Sequence, residues 1–477
     1  MPQETARRSE DTGRGDTDGG DDSGAMTAGM QAEQGPVAGV FDLLHPPSGE
    51  LIDDCVHCGF CLPTCPTYLL EGIETNSPRG RIYLMKAGKA GEVEMDEEFV
   101  GNFDACLGCM ACVTACPSGV KYDQLIEAVR PQIERNWERT RADKLFRTMI
   151  FSLFPYPSRL RAAAFFGTLY QRLGLHRLLD ATGLLERLPA RLRAMEALLP
   201  DLSMRSVVAR QPAFTPAVGP SRRRVGILSG CVQRVFFGDV NAAATRVLAA
   251  EGCDVVAPRS QQCCGALSSH AGREPEAIAR ARNLIDAFES VEVDTVVVTV
   301  AGCGSSMKEY GVLLRDDPDY ADRAADFSAK VRDISELLDE LGPVAPRHPV
   351  PGRVAYHDAC HLGHAQGITA QPRAVLATIP ELRVLDIPEA EICCGSAGIY
   401  NLVQPEPAER LGRRKVEHIE ETRPDAVVTS NAGCLLQIRR YLDAGVPLFH
   451  PVQLLDASIR GTDLSLISAD QNPSSTP

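Results

Sequence analysis

Short apolar segments alternate with longer amphipathic ones in the second half of the chain. The short runs are typical of buried strands and comprise Val225–Leu228, Thr295–Val300, Val354–Tyr356 and Ala426–Thr429. Between these runs the apolar residues recur every three or four positions, as on one face of a helix. The helices predicted in this way are Val240–Ala250, Ile278–Phe288 and Glu406–Glu421. Because strands and helices alternate, we expect α/β units with parallel strands.

A connector at residues 139–224 mixes apolar and basic residues. Arg and Lys number eleven between Arg139 and Arg193, against three acids. Pro155 and Pro157 predict a break between two helices, and a Pro- and Arg-rich linker from residue 206 closes the connector. Three interpretations stay open: helices packed on their own chain, helices at a membrane surface or in contact with quinone, and a docking site for a partner subunit.

Composition limits the classes of protein to which the chain can belong. The net charge is −14 and the pI is near 5.3, which argues against nucleic acid as a partner. No apolar run reaches the eighteen or so residues that span a bilayer, and no apolar h-region follows Arg7 and Arg8. We therefore expect a cytoplasmic protein, with peripheral contact at the inner face of the cell membrane as a further option. Both ends, residues 1–36 and 463–477, are predicted to be disordered tails.

Eight of the seventeen cysteines form two copies of the pattern C-x2-C-x2-C-x3-C-P. In this ferredoxin pattern three thiolates hold one 4Fe–4S cluster and the fourth reaches across to the other cluster. Zinc is the alternative, but a structural zinc site needs four ligands in two pairs. We predict two clusters with crossed ligands: Cys55, Cys58, Cys61 and Cys116 for cluster 1, and Cys106, Cys109, Cys112 and Cys65 for cluster 2.

These cysteines lie within a predicted α+β ferredoxin-like domain in a helical surround, at residues 37–138. A helical pattern at Ile82–Ala87 separates the two cysteine runs, and Arg79 and Arg81 precede it. The two arginines offset the negative charge of the clusters, dock a partner, or form the solvated start of a helix. The sequence leaves these alternatives open.

The second half of the chain contains a repeat with a constant offset. Four cysteines recur 129, 130, 130 and 131 residues later, and in each copy an adjacent pair precedes a glycine. The copies are Cys231, Cys263, Cys264 and Cys303, and Cys360, Cys393, Cys394 and Cys434. We predict two α/β cysteine-rich domains at residues 225–345 and 346–462, with a candidate additional cluster or redox-active thiol pair at the carboxyl ends of their strands. The alternative is a vestigial site that only packs.

Several motifs carry a resemblance to known families. CVHCGFC at residues 55–61, CPTY at 65–68, PRGRIYL at 78–84 and CPSGV at 116–120 closely resemble the iron–sulfur subunit of glycolate oxidase. The CCG repeats resemble the cysteine-rich domains of heterodisulfide reductase, anaerobic glycerol-3-phosphate dehydrogenase and lactate-utilisation proteins. In heterodisulfide reductase this domain ends in C-x2-C, whereas Ser306 and Gln437 stand at the last position here. Each repeat therefore keeps four thiols.

The resemblance implies an electron-transfer subunit that has no catalytic residues of its own. In that family, FAD-binding subunits oxidise glycolate to glyoxylate, and the iron–sulfur subunit relays electrons toward quinone or another acceptor. The chain contains no G-x-G-x-x-G after a strand and no P-loop, so a flavin must lie on another subunit. The alternatives are the equivalent subunit of a D-lactate or anaerobic glycerol-3-phosphate dehydrogenase, and a heterodisulfide-reductase-like enzyme with its active site in the repeats. The repeats alternatively serve as a scaffold while only the ferredoxin clusters carry electrons.

Overall fold

The computed structural model of the chain describes residues 39–200 and 210–464. The tails predicted at residues 1–36 and 463–477 lie outside these ranges, apart from residues 463 and 464, and so do residues 206–209 of the linker. From residue 39 onward the described residues belong to one compact unit. The N-terminal cysteine region, the connector and both repeats therefore pack on one another within that unit.

Helices enclose the N-terminal cysteines. They are α1 Gly49–Asp53, α2 Pro66–Glu71, α3 Pro78–Ala90, α4 Glu97–Asp104, α5 Ala111–Thr114 and α6 Tyr122–Asn136. Helix α3 begins before the predicted Ile82 because the hydroxyl of Ser77 accepts a hydrogen bond from the Gly80 amide and proline is favoured in the first turn. Residues 39–138 contain no strand. The helical surround is thus observed, whereas the strands of an α+β ferredoxin arrangement are not found in this range.

The connector forms helices that break at the predicted prolines. They are α7 Arg141–Leu153, α8 Pro157–Arg172, α9 Leu175–Ala181 and α10 Ala190–Ala197. Leu160 and Ala164 are buried against Val235 of the first repeat, so the connector does pack on its own chain. Phe166 and Leu169, on the same helix, are exposed. Because this apolar strip is exposed, contact of the connector with a membrane surface or with a partner subunit stays an open hypothesis.

The first repeat is built on a sheet with the strand order β1-β3-β2-β4-β5. Its strands are β1 Phe214–Thr215, β2 Arg223–Ile227, β3 Cys253–Val256, β4 Thr295–Val298 and β5 Val331–Asp333. Only β1 runs antiparallel to its neighbour. The helices between them are α11 Gln233–Phe236, α12 Gly238–Ala250, α13 Ala266–His270, α14 Glu274–Glu289, α15 Ala301–Lys308, α16 Tyr310–Leu313, α17 Ala321–Lys330 and α18 Ile334–Leu341.

The second repeat has the topology of the four parallel strands of the first, in the order β7-β6-β8-β9, without a counterpart of β1 in the described part of its sheet, and all of its strand pairs are parallel. Its strands are β6 Gly352–His357, β7 Leu382–Asp386, β8 Ala426–Thr429 and β9 Leu448–Phe449. The helices are α19 Cys360–Gly363, α20 Ala370–Ala377, α21 Tyr400–Val403, α22 Pro405–Glu421, α23 Ala432–Arg439 and α24 Pro451–Arg460. The predicted α/β units with parallel strands are therefore confirmed.

The two repeats share one apolar core. Val225 and Ile227 of β2 belong to the same buried cluster as Val354 and Tyr356 of β6. A backbone hydrogen bond from Ala301 to Ser430 also joins the carboxyl ends of the two sheets. This packing brings the cysteines of both repeats to one side of the molecule. Among residues 39–200 and 210–464, none of the helices is long and apolar enough to cross a membrane.

Candidate metal centres and the cavity between the repeats

The cysteines predicted for cluster 1 line one small cavity near the surface. Cys55, Cys58, Cys61 and Cys116 face this cavity together with Cys112, and Cys58 is exposed to solvent. The loop reverses at Gly59, where φ is +87° and a Cβ would lie 2.7 Å from Nη1 of Arg79. Glycine adopts this positive φ without strain, and a larger residue here would also displace the arginine side chain that lies against the loop.

The cysteines predicted for cluster 2 are buried. Burial raises the pKa of the Cys112 thiol, and the nearby sulfurs of Cys109, Cys106 and Cys65 raise it further. Cys65 therefore lies close to the second cysteine run although it belongs to the first run in sequence. The amide of Gly108 donates to Sγ of Cys106 at 3.4 Å. Amide–sulfur hydrogen bonds of this kind are one means by which a protein sets the potential of an iron–sulfur centre.

For Arg81 the structure favours charge compensation over partner docking and over a solvated helix start. Its side chain is 1% exposed and donates to the Asn102 carbonyl at 2.6 Å and to Oγ1 of Thr67 at 3.2 Å. Burial alone would lower the pKa of Arg81, but the nearby sulfurs of Cys106 and Cys65 raise it above its usual value. Arg81 is thus a buried cation beside the second thiol group.

Arg79 differs from Arg81 in its surroundings. Its guanidinium is part-exposed, pairs with Glu74 at 2.6 Å, and donates to the His57 carbonyl in the first cysteine loop. Arg79 therefore orients a surface loop, whereas Arg81 compensates buried negative charge.

Each repeat brings its four thiols together where strands end and helices begin. In the second repeat Sγ of Cys360 lies 3.9 Å from Sγ of Cys393, and Sγ of Cys394 lies 3.4 Å from Sγ of Cys434. Gly395 follows the pair with φ at +89°, and a Cβ there would lie 2.7 Å from the Ala408 carbonyl oxygen. The glycine is therefore required for the backbone to turn both thiols of the pair into one site.

In the first repeat the corresponding thiols also influence one another. Cys231 lies close to Cys263, and Cys264 lies close to Cys263 and Cys303. These contacts and burial raise the pKa values of Cys231 and Cys264 well above that of an ordinary thiol. The repeat predicted from sequence spacing is therefore a repeat of thiol clusters in three dimensions.

The second repeat packs against Cys109, one of the cluster 2 thiols. Cys109 belongs to one buried cluster with Cys360 and Cys393, and Leu107 and Tyr400 pack around them. Burial raises the pKa of the Cys109 thiol, and the largest charge contribution in the same direction comes from Cys360. A continuous set of thiols therefore runs from the surface at Cys58 into the second repeat.

A cavity of about 590 Å³ lies between the two repeats and the connector. All eight cysteines of the repeats line it on one side. The connector lines it with apolar side chains that include Leu153, Leu160, Leu192 and Leu199. The size and the mostly apolar lining are typical of sites for small organic molecules.

Two buried residues of this region, His357 and Lys415, were not predicted from the sequence. A ligand atom of His357 lies within 4.8 Å of the thiols of Cys394 and Cys434. Lys415, which is also buried, donates to the Ala390 carbonyl at 3.3 Å, and burial lowers its pKa although the nearby thiols of Cys394 and Cys393 oppose this. A residue-by-residue alignment of the two repeats identifies His357 as a candidate, since it lies three positions before the first cysteine of its copy.

The donor sets fit iron–sulfur ligation. Thiols are the ligands that iron–sulfur clusters take from proteins, and glycine turns at Gly59 and Gly395 accompany the thiols of the first cysteine run and of the second repeat. Cys253 lies apart from these groups, in the shared core of the repeats. It is a buried free thiol, as the absence of a counterpart in the second repeat suggests.

Three family models match the chain. The 4Fe–4S dicluster domain matches residues 51–120, the linker region of the glycolate oxidase iron–sulfur subunit matches residues 142–199, and the cysteine-rich domain matches residues 225–308 and 354–439. Together these matches cover the N-terminal thiol region, the connector and both thiol-bearing repeats.

Curated relatives match along most of the chain. The probable glycolate oxidase iron–sulfur subunit of Bacillus subtilis (strain 168) is 42% identical over 395 residues, which are 82% of this chain and 89% of that protein. The glycolate oxidase iron–sulfur subunit of Escherichia coli (strain K12) is 36% identical over 395 residues, 81% of this chain and 89% of that one. Lactate utilization protein A of Oceanobacillus iheyensis is 29% identical over 242 residues, which are 50% of this chain and 98% of that protein.

Proposed function

This chain belongs to the family of glycolate oxidase iron–sulfur subunits, and on that basis we propose that it is the electron-transfer subunit of a glycolate-oxidising complex. Two relatives that match along most of the chain, at 42% and 36% identity, are glycolate oxidase subunits, so D-lactate, glycerol 3-phosphate and heterodisulfide are not favoured as substrates of the complex. Partner subunits that contain FAD oxidise glycolate to glyoxylate in this proposal, and this chain serves only the transfer of electrons.

Two 4Fe–4S clusters are held by the crossed sets of cysteines in this proposal. Cluster 1 takes Cys55, Cys58, Cys61 and Cys116, and cluster 2 takes Cys106, Cys109, Cys112 and Cys65. The cavity that the first set lines and the proximity of Cys65 to Cys112 support this division. When bound, each cluster supplies one-electron redox chemistry, with a potential set by charge, hydrogen bonds and exposure.

The observation that carries the proposal is the buried contact of Cys109 with Cys360 and Cys393. The thiols of cluster 1 lie nearest the surface, those of cluster 2 are buried, and those of the second repeat adjoin the cavity. This order gives electrons an entrance at the exposed loop of Cys58, where a flavin subunit has access. The same order gives electrons an exit at the cavity. It also favours the hypothesis that the repeats hold a further iron–sulfur centre over the hypothesis that they serve only as a scaffold.

The acceptor in this proposal is an apolar molecule such as a quinone, bound in the cavity between repeats and connector. The apolar lining supports this choice, since a quinone ring and its tail are largely apolar. The exposed apolar strip at Phe166 and Leu169, next to basic residues of the same helix, supports peripheral contact with the membrane that supplies the quinone.

Electron transfer through the chain is tested in the assembled complex with Cys58→Ala and Cys109→Ala. Each variant should abolish quinone reduction, because no other cysteine replaces the lost ligand, while reduction of the flavin by glycolate continues upstream. Cys253→Ala is the matched control, since this thiol lies outside every thiol group, and it should leave quinone reduction intact. Glycolate oxidation by the purified single chain would overturn the proposal.

The acceptor site is tested separately on helix α8. Ala163 lines the cavity and is half-buried, whereas Ala162 is exposed on the same helix. Ala163→Phe should reduce the rate with quinone at least tenfold and leave the rate with a small soluble dye unchanged, because the added ring occupies the cavity. Ala162→Phe should change neither rate. An unchanged rate with quinone in Ala163→Phe would place the quinone elsewhere.

A further inference from the structure

The two repeats differ at one position that faces their thiols. The offset of 129 residues between Cys231 and Cys360 places His357 of the second repeat opposite Leu228 of the first. Each residue stands at the carboxyl end of the central strand of its sheet: His357 ends β6, and Leu228 directly follows β2. The same place in two copies of one fold therefore holds an imidazole in one copy and an aliphatic side chain in the other.

In the first repeat this place is part of the apolar core. Leu228 is buried and belongs to the same cluster as Cys264, Val298 and Met307. Cys264 is the second cysteine of the adjacent pair and corresponds to Cys394 in the second repeat. The fold thus brings residue 228, and by correspondence residue 357, against the second thiol of the pair.

In the second repeat the imidazole of His357 is buried, and one of its nitrogens lacks a hydrogen-bond partner among the described residues. His357 is 1% exposed, and its Nδ1 has no hydrogen-bond partner among the described residues. A buried polar atom without a partner costs free energy that an apolar residue such as leucine would avoid. One atom of its ring and the thiols of Cys394 and Cys434 lie within 4.8 Å of one another. Thiolate sulfur and imidazole nitrogen that converge in this way are typical of a metal site.

We propose that the second repeat holds an iron-containing centre with His357, Cys394 and Cys434 among its ligands, and that the first repeat lacks the imidazole ligand. Cys393, the neighbour of Cys394 in the chain, and Cys360, whose sulfur lies 3.9 Å from that of Cys393, supply further thiolates. The imidazole takes the place of the ligand that the C-x2-C ending would otherwise bring, since Gln437 stands there.

The choice of iron rests on the proposed function. Zinc also accepts thiolate and imidazole ligands, but it has no redox chemistry and a structural zinc site closes with four ligands. The second repeat offers five candidate ligands, and two of them, Cys360 and Cys393, belong to one buried cluster with Cys109 of the second ferredoxin cysteine run. A redox-active metal at this place continues the thiol path from the surface to the cavity.

The direct test uses the full-length wild-type chain, purified without oxygen and with ¹⁵N in its histidines. Pulsed paramagnetic resonance of the iron–sulfur signals should show a coupling to histidine nitrogen that changes with the isotope. His357→Leu, which installs the residue of the first repeat, should abolish this coupling. His361→Leu is the control, because Nδ1 of His361 lies 3.6 Å from Sγ of Cys360 and makes it the competing histidine. Absence of the coupling in wild-type protein, or its loss in His361→Leu alone, would overturn the proposal.

Metal content and potential provide a second measurement. His357→Leu should lower the iron per chain by the content of one centre and leave the signals of the two ferredoxin clusters in place. His357→Cys should retain the iron and lower the potential of the centre, because a thiolate replaces a neutral imidazole and imidazole ligation raises the potential of such clusters. Zinc in place of iron in the wild-type chain would overturn the proposal.

The outcomes separate this inference from the proposed function. If the complex oxidises glycolate while the histidine coupling is absent, this inference is wrong and the electron-transfer function stands. If the coupling is present while the complex acts on another substrate, the metal site stands and the proposed substrate is wrong.

Discussion

Removal of the buried cation at Arg81 should lower the reduction potential of cluster 2. Arg81→Met retains most of the side-chain volume and removes a positive charge that lies beside Cys106 and Cys65. Reduction adds one negative charge to the cluster, and a nearby positive charge stabilises that state more than the oxidised one. Without the cation the reduced state is therefore less favourable.

The size of the shift follows from the burial of Arg81. At a separation on the order of 6 Å and an effective dielectric constant of about 20, two unit charges interact by about 2.8 kcal/mol. For a one-electron step a tenfold change in equilibrium is about 59 mV, so this interaction corresponds to about 120 mV. Loss of the hydrogen bonds to Asn102 and Thr67 should in addition lower the stability by about 1.5–3 kcal/mol each, since the donor is charged.

The assay is a potentiometric titration of both clusters, followed by paramagnetic resonance. Lys86→Met is the matched control, because Lys86 lies on the same helix but is 61% exposed and pairs with Asp53 at the surface. Solvent and salt screen its charge, so its removal should shift the potential by less than about 20 mV. Arg81→Lys should stay nearer to the wild-type value than Arg81→Met does, since it keeps the charge and changes the hydrogen bonds.

Three outcomes would refute this reasoning. A shift of cluster 2 below about 30 mV in Arg81→Met would mean that solvent or other groups compensate the charge. An equal shift of both clusters would mean that Arg81 does not act on the sulfurs of Cys106 and Cys65 in particular. A rise in the potential would contradict the sign of the argument altogether.

Three further predictions test the ligands, the connector and the packing of the first repeat on helix α6. Cys65→Ser should damage cluster 2 more than cluster 1 and remove the magnetic coupling between them; two intact, interacting signals would contradict the crossed assignment. Reversing the exposed Arg159 and Arg172 to Glu should weaken binding to anionic vesicles, and the effect should be smaller at high salt because exposed charges are screened. The control Arg383→Glu on the second repeat should leave vesicle binding unchanged. If the double variant also binds unchanged, only packing on the chain itself or on a partner subunit remains as the role of the connector. Burial and two acidic neighbours raise the pKa of Glu309 from 4.5 to about 8, so its ionisation should reduce stability as the pH rises from 4.5 to 8, by about 1.4 kcal/mol per unit at most. Glu309→Gln should therefore raise the thermal midpoint at pH 8.5 and leave it unchanged near pH 4.5, and an equal change at both pH values would exclude this origin.

The sequence predicted individual strands, helix breaks and the repeat, because these depend on residue spacing and on the local pattern of apolar residues. Ala426–Thr429 was predicted as a strand and is one over the same residues, because a run of β-branched and apolar residues bounded by polar ones suits a buried parallel strand. The break at Pro155 and Pro157 was also foreseen, since proline removes an amide donor that a helix interior needs. The constant offset between the two sets of cysteines predicted one fold used twice.

Other expectations were limited by local pattern. The predicted strand Thr295–Val300 is shorter, since β4 ends at Val298 and the chain turns toward the helix that begins at Ala301. The α+β ferredoxin arrangement was expected from the cysteine pattern alone, yet residues 39–138 contain helices and no strand. The cysteine spacing specifies the loops around a cluster but not the elements that support them. The domain boundaries and the crossed ligand sets stay predictions.

The tertiary structure decided which charges and ligands meet. Arg79 and Arg81 are equivalent in sequence, but one lies at the surface and the other is buried between two cysteine runs, because only one face of helix α3 packs on the core. The same holds for His357 and Leu228, whose difference gains meaning only when β6 brings the imidazole to the thiols of Cys394 and Cys434. Sequence spacing determines what a few neighbouring residues can ligate. Contacts between residues hundreds of positions apart depend on how whole sheets and helices pack, and no local pattern encodes them.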